Sequence, residues 1–179
     1  TVYTPPQHCC GLPMLTKGMV KQARGKVMEN IRKWRHLLDQ VEHIVVTCSS
    51  CGLSLTHEWS NVLSRKEAAG IQQKVVHIST LVGESIAGIC IKNRNEKIAY
   101  HLPCHLKVQP GAESSINMLA GIPGVEVKDL KSHCCGMGGS WGLLAKNFDL
   151  SKKIGKDMLQ KINVSGCTAA VTDCPTCRM

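Results

Sequence analysis

The sequence predicts an α/β fold made of two repeated Rossmann-like units with mostly parallel sheets. Short β-branched runs alternate with longer runs of helical periodicity, which is the pattern of a parallel sheet covered by helices. The tetrapeptide His-Cys-Cys-Gly occurs twice, beginning at His8 and at His133. Each copy is followed, 38 or 39 residues after its second cysteine, by a Cys-x-x-Cys pair that begins at Cys48 or at Cys174. Repetition of both motif and spacing indicates a duplicated unit.

The first repeat is assigned to residues 1–95. Apolar residues at helical spacing predict a long helix over 17–40, and the run 44–47 predicts a strand that ends just before Cys48. A helix over 53–69, a strand over 75–78 and a helix over 81–91 are predicted after it. The counterpart of Cys104 would precede residue 1, so this repeat is expected to be incomplete at its N-terminus.

The second repeat is assigned to residues 96–179 and follows the same plan. Its predicted elements are a strand over 97–101, a helix over 112–120, a strand over 125–130, a helix over 150–162 and a strand over 169–172. Gly166 separates the last helix from the last strand. Only two residues follow Cys177, so this repeat is expected to be incomplete at its C-terminus.

The cysteines follow the predicted strands. Cys48, Cys104 and Cys174 come directly after strands, and three residues separate the strand over 125–130 from the second Cys-Cys doublet. Ligands of parallel sheets gather at the carboxyl ends of the strands. The cysteines are therefore expected to meet at one edge of the sheet.

The composition disfavours several classes of protein. The chain has 179 residues, 11 cysteines, 3% aromatic residues and a formal charge of +9. The odd number of cysteines, many of them adjacent, disfavours a secreted disulfide scaffold. Scattered lysines and few aromatics argue against nucleic-acid binding. No apolar run reaches the ~20 residues of a membrane span, so a cytoplasmic protein is expected.

Thiolate metal ligation explains the cysteines best. The second repeat offers five sulfurs, from Cys104, Cys134, Cys135, Cys174 and Cys177, and the first offers four, from Cys9, Cys10, Cys48 and Cys51. Zinc needs only four ligands, and a redox dithiol would use only one Cys-x-x-Cys pair. Both alternatives stay open, but an iron–sulfur site accounts for all five positions at once.

Other residues are expected to support this site. Gly136 beside the second doublet lets the backbone approach a sulfur closely and donate a hydrogen bond to it. His8, His101, His105 and His133 flank the cysteines and are expected to donate hydrogen bonds rather than to bind metal. Cys90 lies in an apolar run and Cys167 matches the apolar Val41 of the first repeat, so both are predicted to be core side chains.

The second repeat carries the segments Tyr100-His101-Leu102-Pro103-Cys104-His105, Cys134-Cys135-Gly136-Met137-Gly138-Gly139 and Asp173-Cys174-Pro175-Thr176-Cys177. In these segments the chain resembles the CCG, or cysteine-rich, domain pair. That pair occurs in the C subunit of anaerobic glycerol-3-phosphate dehydrogenase, the glycolate oxidase iron–sulfur subunit and heterodisulfide reductase subunits.

The resemblance implies a non-cubane 4Fe-4S cluster, one for each complete CCG motif and held by its five cysteines. It also implies an electron-transfer subunit that receives electrons from a flavoprotein dehydrogenase subunit or a ferredoxin-like domain and passes them toward a quinone. A membrane-anchor partner would place it on the inner face of the membrane. Disulfide reduction at the cluster, as in heterodisulfide reductase, and a zinc-stabilised interaction module are the alternatives.

Overall fold

A computed structural model describes residues 1–179, except for the side chains of Glu84 and Ala87. The strands are β1 Ile44–Val46, β2 Val75–His77, β3 Glu96–Tyr100, β4 Val125–Asp129 and β5 Ala169–Val171. The helices are α1 Leu12–Leu15, α2 Val20–Leu38, α3 Ser49–Thr56, α4 Arg65–Gln72, α5 Ile78–Ser85, α6 Cys104–Lys107, α7 Ser114–Ala120 and α8 Phe148–Asn163. Short 3₁₀ turns occur at Glu58–Asn61, Ile86–Gly88 and Ala145–Asn147.

The strands form two small sheets, and the predicted α/β class is confirmed. One sheet pairs β1 with β2, and the other has the order β4-β3-β5. In the second sheet β3 is parallel to both neighbours, with Ile98 opposite Val127 on one side and Ala169 on the other. Helices connect its strands, as parallel pairing requires. The carboxyl ends of all three strands therefore lie at the same edge.

The chain divides into two compact units. Unit 1 comprises Thr1–Val46 and Ser50–Val76, and unit 2 comprises Thr47–Ser49 and His77–Met179. The three residues that include Cys48 thus belong to unit 2, although they lie within the first repeat in the sequence. The repeat boundary at residue 95 stays a prediction.

Unit 1 is built around Trp59, whose side chain is fully buried. It packs with Val27 of α2, Leu55 of α3 and Ile71 of α4, and its ring stacks on Trp34 at a centroid distance of 5.9 Å. Its indole N–H donates a hydrogen bond of 2.8 Å to the carbonyl of Cys10. The core of this unit therefore holds the backbone of the first Cys-Cys doublet.

The single helix predicted over 53–69 is wrong. Two helices and a 3₁₀ turn occupy this part of the chain, and Ser64 interrupts it with an extended backbone, φ −64° and ψ 153°. The hydroxyl of Ser64 accepts from the backbone N–H of Glu67, whose carboxylate accepts from the N–H of Ser64. This reciprocal capping box starts α4 as a new helix.

The helix predicted over 81–91 begins and ends earlier than expected. His77 caps α5 by accepting from the N–H of Ser79, and Ile89 is extended at φ −97° and ψ 127°. Cys90 consequently leaves the helical pattern and is exposed, so its prediction as a core residue is wrong. Cys167 is half-buried, and its N–H donates to the hydroxyl of Ser165 at 3.1 Å.

The polarity of the helices agrees with the composition. None of the helices in the described part of the chain is both long enough and apolar enough to cross a bilayer.

We predict that Trp59→Phe lowers the free energy of unfolding by about 1–3 kcal/mol, because it removes a buried hydrogen bond and leaves a void beside α2. Urea denaturation followed by circular dichroism measures the change. Trp141→Phe is the matched control, since Trp141 is 39% exposed and its replacement is expected to cost less than about 0.5 kcal/mol. Equal effects of the two substitutions would contradict this description of the core.

Candidate functional site

The cysteines of the second motif lie at the carboxyl edge of the β4-β3-β5 sheet. Cys104 begins α6, four residues after β3 ends, and Cys174 follows the end of β5 by three residues. The Cys134-Cys135 doublet follows β4 by five residues. Because these strands are parallel, three separate parts of the chain deliver their thiols to one place.

The five thiols of the second motif interact with one another. The side chain of Cys177 interacts with those of Cys135 and Cys174, and Cys135 also interacts with Cys134. The charges of Cys134, Cys135 and Cys174 act on Cys104 and affect its pKa. The structure therefore brings together all five sulfurs that the sequence assigned to this motif. We call this group the thiol cluster.

The thiol cluster contains one acidic thiol. The S–H group of Cys177 donates to Cys135 and lowers the pKa of Cys135 to about 6, against the opposing effect of burial. The same contact raises the pKa of Cys177, because that thiol must keep its proton to donate it. Burial, followed by the charges of neighbouring thiols, raises the pKa of Cys104. At neutral pH Cys135 is thus the thiolate of the group.

The backbone of the doublet depends on two glycines. Gly136 has φ +87°, and its N–H donates to the sulfur of Cys134 at 3.3 Å. A Cβ on Gly136 would lie 2.1 Å from the carbonyl oxygen of Ser151 in α8. A Cβ on Gly155 of the same helix would lie 2.5 Å from the carbonyl oxygen of Cys135. Helix α8 therefore packs directly on the doublet, and only glycine fits at the contact.

The number and type of donor groups in the thiol cluster bear on the group that it could hold. A zinc site would need four ligands about 2.0–2.3 Å from a single point. Five neighbouring thiols, with a backbone N–H donated to one sulfur, instead match the ligands and hydrogen bonds that surround an iron–sulfur cluster. Cys104, Cys134, Cys135, Cys174 and Cys177 could hold such a cluster.

Two of the flanking histidines in unit 2 have different surroundings. His101 is buried, and its Nδ1 lies 2.7 Å from the hydroxyl of Ser132. Its Nε2 is buried without a hydrogen-bond partner in the described part of the chain. Burial lowers the pKa of His101, so the ring is neutral. His133 instead has an 83% exposed side chain that lies 3.4 Å from the carboxylate of Asp157.

The other two flanking histidines make different polar contacts. His8 Nε2 lies 2.8 Å from Lys33 Nζ and 3.4 Å from the carboxylate of Glu29. The carbonyl of His105 accepts a hydrogen bond from the side chain of Gln109. Donation of hydrogen bonds by all four flanking histidines to a cluster stays a prediction.

The backbone of the first Cys-Cys doublet accepts several hydrogen bonds. The carbonyl of Cys10 accepts from the hydroxyl of Ser54 and from Trp59, and the carbonyl of Cys9 accepts from the side-chain amide of Asn30. Gly11 has φ +87°, the same value as Gly136 in the second motif. Cys9, Cys10 and Cys51 belong to unit 1, whereas Cys48 belongs to unit 2. Ligation by these four residues stays a prediction.

Sequence reasoning missed three polar residues near the thiol cluster. The buried hydroxyl of Tyr100 donates to the carboxylate of Asp173, and burial raises the pKa of Tyr100. Gln109 is also buried and donates to two backbone carbonyls. Asp173 stands between strand and cysteine, so its position was a usable signal. Nothing local in the sequence distinguishes Gln109 from an exposed glutamine.

A cavity of about 540 Å³ opens beside Cys174. Its walls include Thr47, Thr172, Asp173 and Arg178. It combines hydroxyl, carboxylate and guanidinium groups within one thiol-lined space. Cys174 is the thiol of the cluster that borders this cavity.

Comparison with known proteins identifies the family of this chain. The cysteine-rich domain family, CCG, matches residues 1–56 and 98–179. The chain belongs to this family. The two matched segments contain the first and second motifs respectively, and the match confirms the resemblance inferred from the sequence.

Three relatives are similar along most of this chain. The C subunit of the anaerobic glycerol-3-phosphate dehydrogenase of Escherichia coli strain K12 is 28% identical over 176 residues, covering 96% of this chain and 44% of the relative. The B subunit of the fumarate reductase (CoM/CoB) of Methanothermobacter marburgensis is 30% identical over 179 residues, covering 97% and 33%. An iron–sulfur protein of Methanocaldococcus jannaschii is 29% identical over 172 residues, covering 96% and 32%. The chain spans a third to less than half of the length of these curated relatives.

We predict that Gly155→Ala destabilises the protein by about 1–3 kcal/mol, because the new methyl group would overlap the carbonyl of Cys135. Gly25→Ala in α2 is the matched control, since its Cβ would meet nothing within 4 Å. There the usual preference for alanine in helices is expected to stabilise by about 0.5–1 kcal/mol. Denaturant titration of both variants checks the signs, and stabilisation by Gly155→Ala would contradict the packing of α8 on the doublet.

We also predict that alkylation of Cys135 in the metal-free, reduced protein follows a titration with a midpoint near pH 6. The thiolate reacts, so the rate is high above this pH and falls below it. Cys177→Ala removes the donor and is expected to move the midpoint upward. Peptide mass spectrometry after brief iodoacetamide treatment gives the rate at each pH. Cys90→Ala serves as the control and is expected to leave the midpoint unchanged. An unchanged midpoint in Cys177→Ala would exclude the S–H···S contact.

Proposed function

We propose that this chain is an iron–sulfur electron-transfer module of an oxidoreductase. The observation that carries the proposal is the convergence of five interacting thiols at the carboxyl edge of one parallel sheet. An all-thiol donor set of this kind favours iron–sulfur chemistry over the oxygen-binding metals. Membership of the cysteine-rich domain family and similarity to a protein named as an iron–sulfur protein support the same interpretation.

We propose that Cys104, Cys134, Cys135, Cys174 and Cys177 hold a non-cubane 4Fe-4S cluster. Five interacting thiols, one more than a cubane needs, support this type. We assign Cys9, Cys10, Cys48 and Cys51 to a corresponding site of the first repeat, with the repeats at residues 1–95 and 96–179. When bound, an iron–sulfur cluster supplies one-electron transfer.

The chain's own residues prepare and protect the site. Cys135 is ionised at neutral pH and is ready to bind iron without prior loss of a proton. The N–H of Gly136 donates to the sulfur of Cys134, and such bonds stabilise negative charge on sulfur. Helix α8 fixes the direction of the doublet because Gly155 contacts the carbonyl of Cys135. His101 adds a neutral, buried ring close to Cys174.

The partners follow from the names of the relatives. Two of them are named as subunits of a dehydrogenase and of a reductase, so we propose that this module works beside a catalytic partner. A flavoprotein dehydrogenase subunit or a ferredoxin-like domain is the proposed donor, and a quinone is the proposed acceptor. We place the module in the cytoplasm, on the inner face of the membrane through a partner.

The cavity beside Cys174 favours a second candidate function, the reduction of a disulfide. Its 540 Å³ could admit a small anionic disulfide, with Arg178 at its wall to pair with a carboxylate or sulfonate. A relative is named as a subunit of a fumarate reductase (CoM/CoB), which supports a reductase function. Incubation of the reduced, iron-loaded protein with candidate disulfides separates the two functions. A new paramagnetic signal supports disulfide reduction. If none of a broad set of disulfides produces a signal, electron transfer remains the supported function.

We predict that Cys135→Ser or Cys174→Ser lowers iron and acid-labile sulfide by at least about half after anaerobic reconstitution, because each removes a thiolate ligand. Cys167→Ser and Cys90→Ser are matched controls and are expected to keep the wild-type content. Iron, sulfide and zinc are measured on the same samples.

The metal analysis also tests the proposal as a whole. Iron together with sulfide in the wild-type protein supports an iron–sulfur module. Zinc without sulfide would overturn it and favour a zinc-stabilised interaction module. Equal loss of iron from all four variants would contradict the assignment of the ligands.

A further inference from the structure

Gln109 connects the two cysteine motifs within unit 2. Its side chain is buried, and its Nε2 donates to the carbonyl of Ser49 at 2.8 Å and to the carbonyl of His105 at 2.5 Å. Ser49 directly follows Cys48, and His105 directly follows Cys104. The side-chain amide of Gln109 thus donates to Ser49, next to a cysteine of the first motif, and to His105, next to a cysteine of the second motif.

We infer that Gln109 is a positioning residue that holds the Cys48 segment against the second-motif thiol cluster. The inference deepens the proposed function and rests on it for its effect on a bound cluster. The contact itself belongs to the polypeptide and can be measured without iron.

A second set of hydrogen bonds supports the same placement. The backbone N–H of Ser49 donates to the carbonyl of Asp173 at 3.2 Å, and Asp173 also accepts from the hydroxyl of Tyr100. Ser49 is therefore held at its N–H by the residue before Cys174 and at its carbonyl by Gln109. One hydrogen bond and two peptide units limit the Cα atoms of Cys48 and Cys174 to less than about 9 Å apart.

The chemistry of the amide suits this position. A carboxamide has two N–H donors, and here they meet two backbone carbonyls in a buried place where water competes poorly. Methionine has nearly the same shape but no donor, so it keeps the packing and leaves both carbonyls without this partner. Asparagine keeps the donors on a shorter side chain, which cannot span both acceptors in the same way.

These contacts give Gln109 a role beyond filling space. The distance between Cys48 and the thiol cluster depends on Gln109 and Asp173, neither of which is a thiol. A change in that distance alters the electrostatic surroundings of a bound cluster even when all of its cysteines remain. The effect is therefore expected in the spectrum and potential of the cluster before it is seen in its iron content.

The test compares Gln109→Met with Gln160→Met in the full chain, since Gln160 is an exposed glutamine of α8. In the metal-free, reduced protein, hydrogen–deuterium exchange of the peptide that contains Ser49 is expected to be about tenfold faster in Gln109→Met and unchanged in Gln160→Met. After reconstitution, Gln109→Met is expected to shift the reduction potential and the paramagnetic spectrum at wild-type iron content. Circular dichroism establishes that each variant is folded.

Asparagine variants keep the test decisive if Gln109→Met does not fold. Gln109→Asn is expected to give a smaller increase in exchange than the loss of both donors, and Gln160→Asn none. If folded Gln109 variants show the same hydrogen–deuterium exchange and the same spectra as the wild-type protein, the inference is overturned. Faster exchange in a protein that binds no iron even as wild type would refute the proposed function but retain the placement of the Cys48 segment by Gln109.

Discussion

Parallel pairing of three strands is the constraint on which the site depends. Because β3 is parallel to both β4 and β5, the segments that follow these strands emerge at one edge. Residues that are 30 and 70 positions from Cys104 in the sequence, Cys134 and Cys174, thereby become neighbours of it. An antiparallel β5 would deliver Cys174 and Cys177 to the opposite edge. The thiol cluster is thus a product of topology more than of any local motif.

Much of the architecture could be predicted because it is encoded in local patterns. The helix α2 and the short strands before Cys48 and Cys174 follow from periodicity and β-branched runs, and the repeat of the doublet reveals the duplication. The failures have local causes as well. The capping box of Ser64 divides one apolar run into separate helices, and the extended backbone at Ile89 removes Cys90 from the helical pattern. The spacing of apolar residues alone does not predict where a helix is interrupted.

The site was predictable to the extent that it consists of cysteines. Five thiols could be assigned from motif and strand position, but the unequal proton affinities of Cys135 and Cys177 depend on a tertiary contact. The same holds for Gly155, whose importance comes from a carbonyl 20 residues earlier in the chain. The segment Thr47–Ser49 belongs to unit 2, and the hydrogen bonds that Ser49 makes there with Gln109 and Asp173 are likewise tertiary contacts. Such features have no signature in the sequence around them.

The S–H···S contact between Cys177 and Cys135 makes the protein sensitive to air. A thiolate beside a second thiol is the starting geometry for oxidation to a disulfide, since a sulfenic acid formed on the first sulfur condenses with its neighbour. The same acidity makes Cys135 the favoured point of attack by oxidants. An oxidant would therefore turn this pair of sulfurs into a covalent link between the Cys-Cys doublet and the Cys-x-x-Cys pair, with loss of the thiolate.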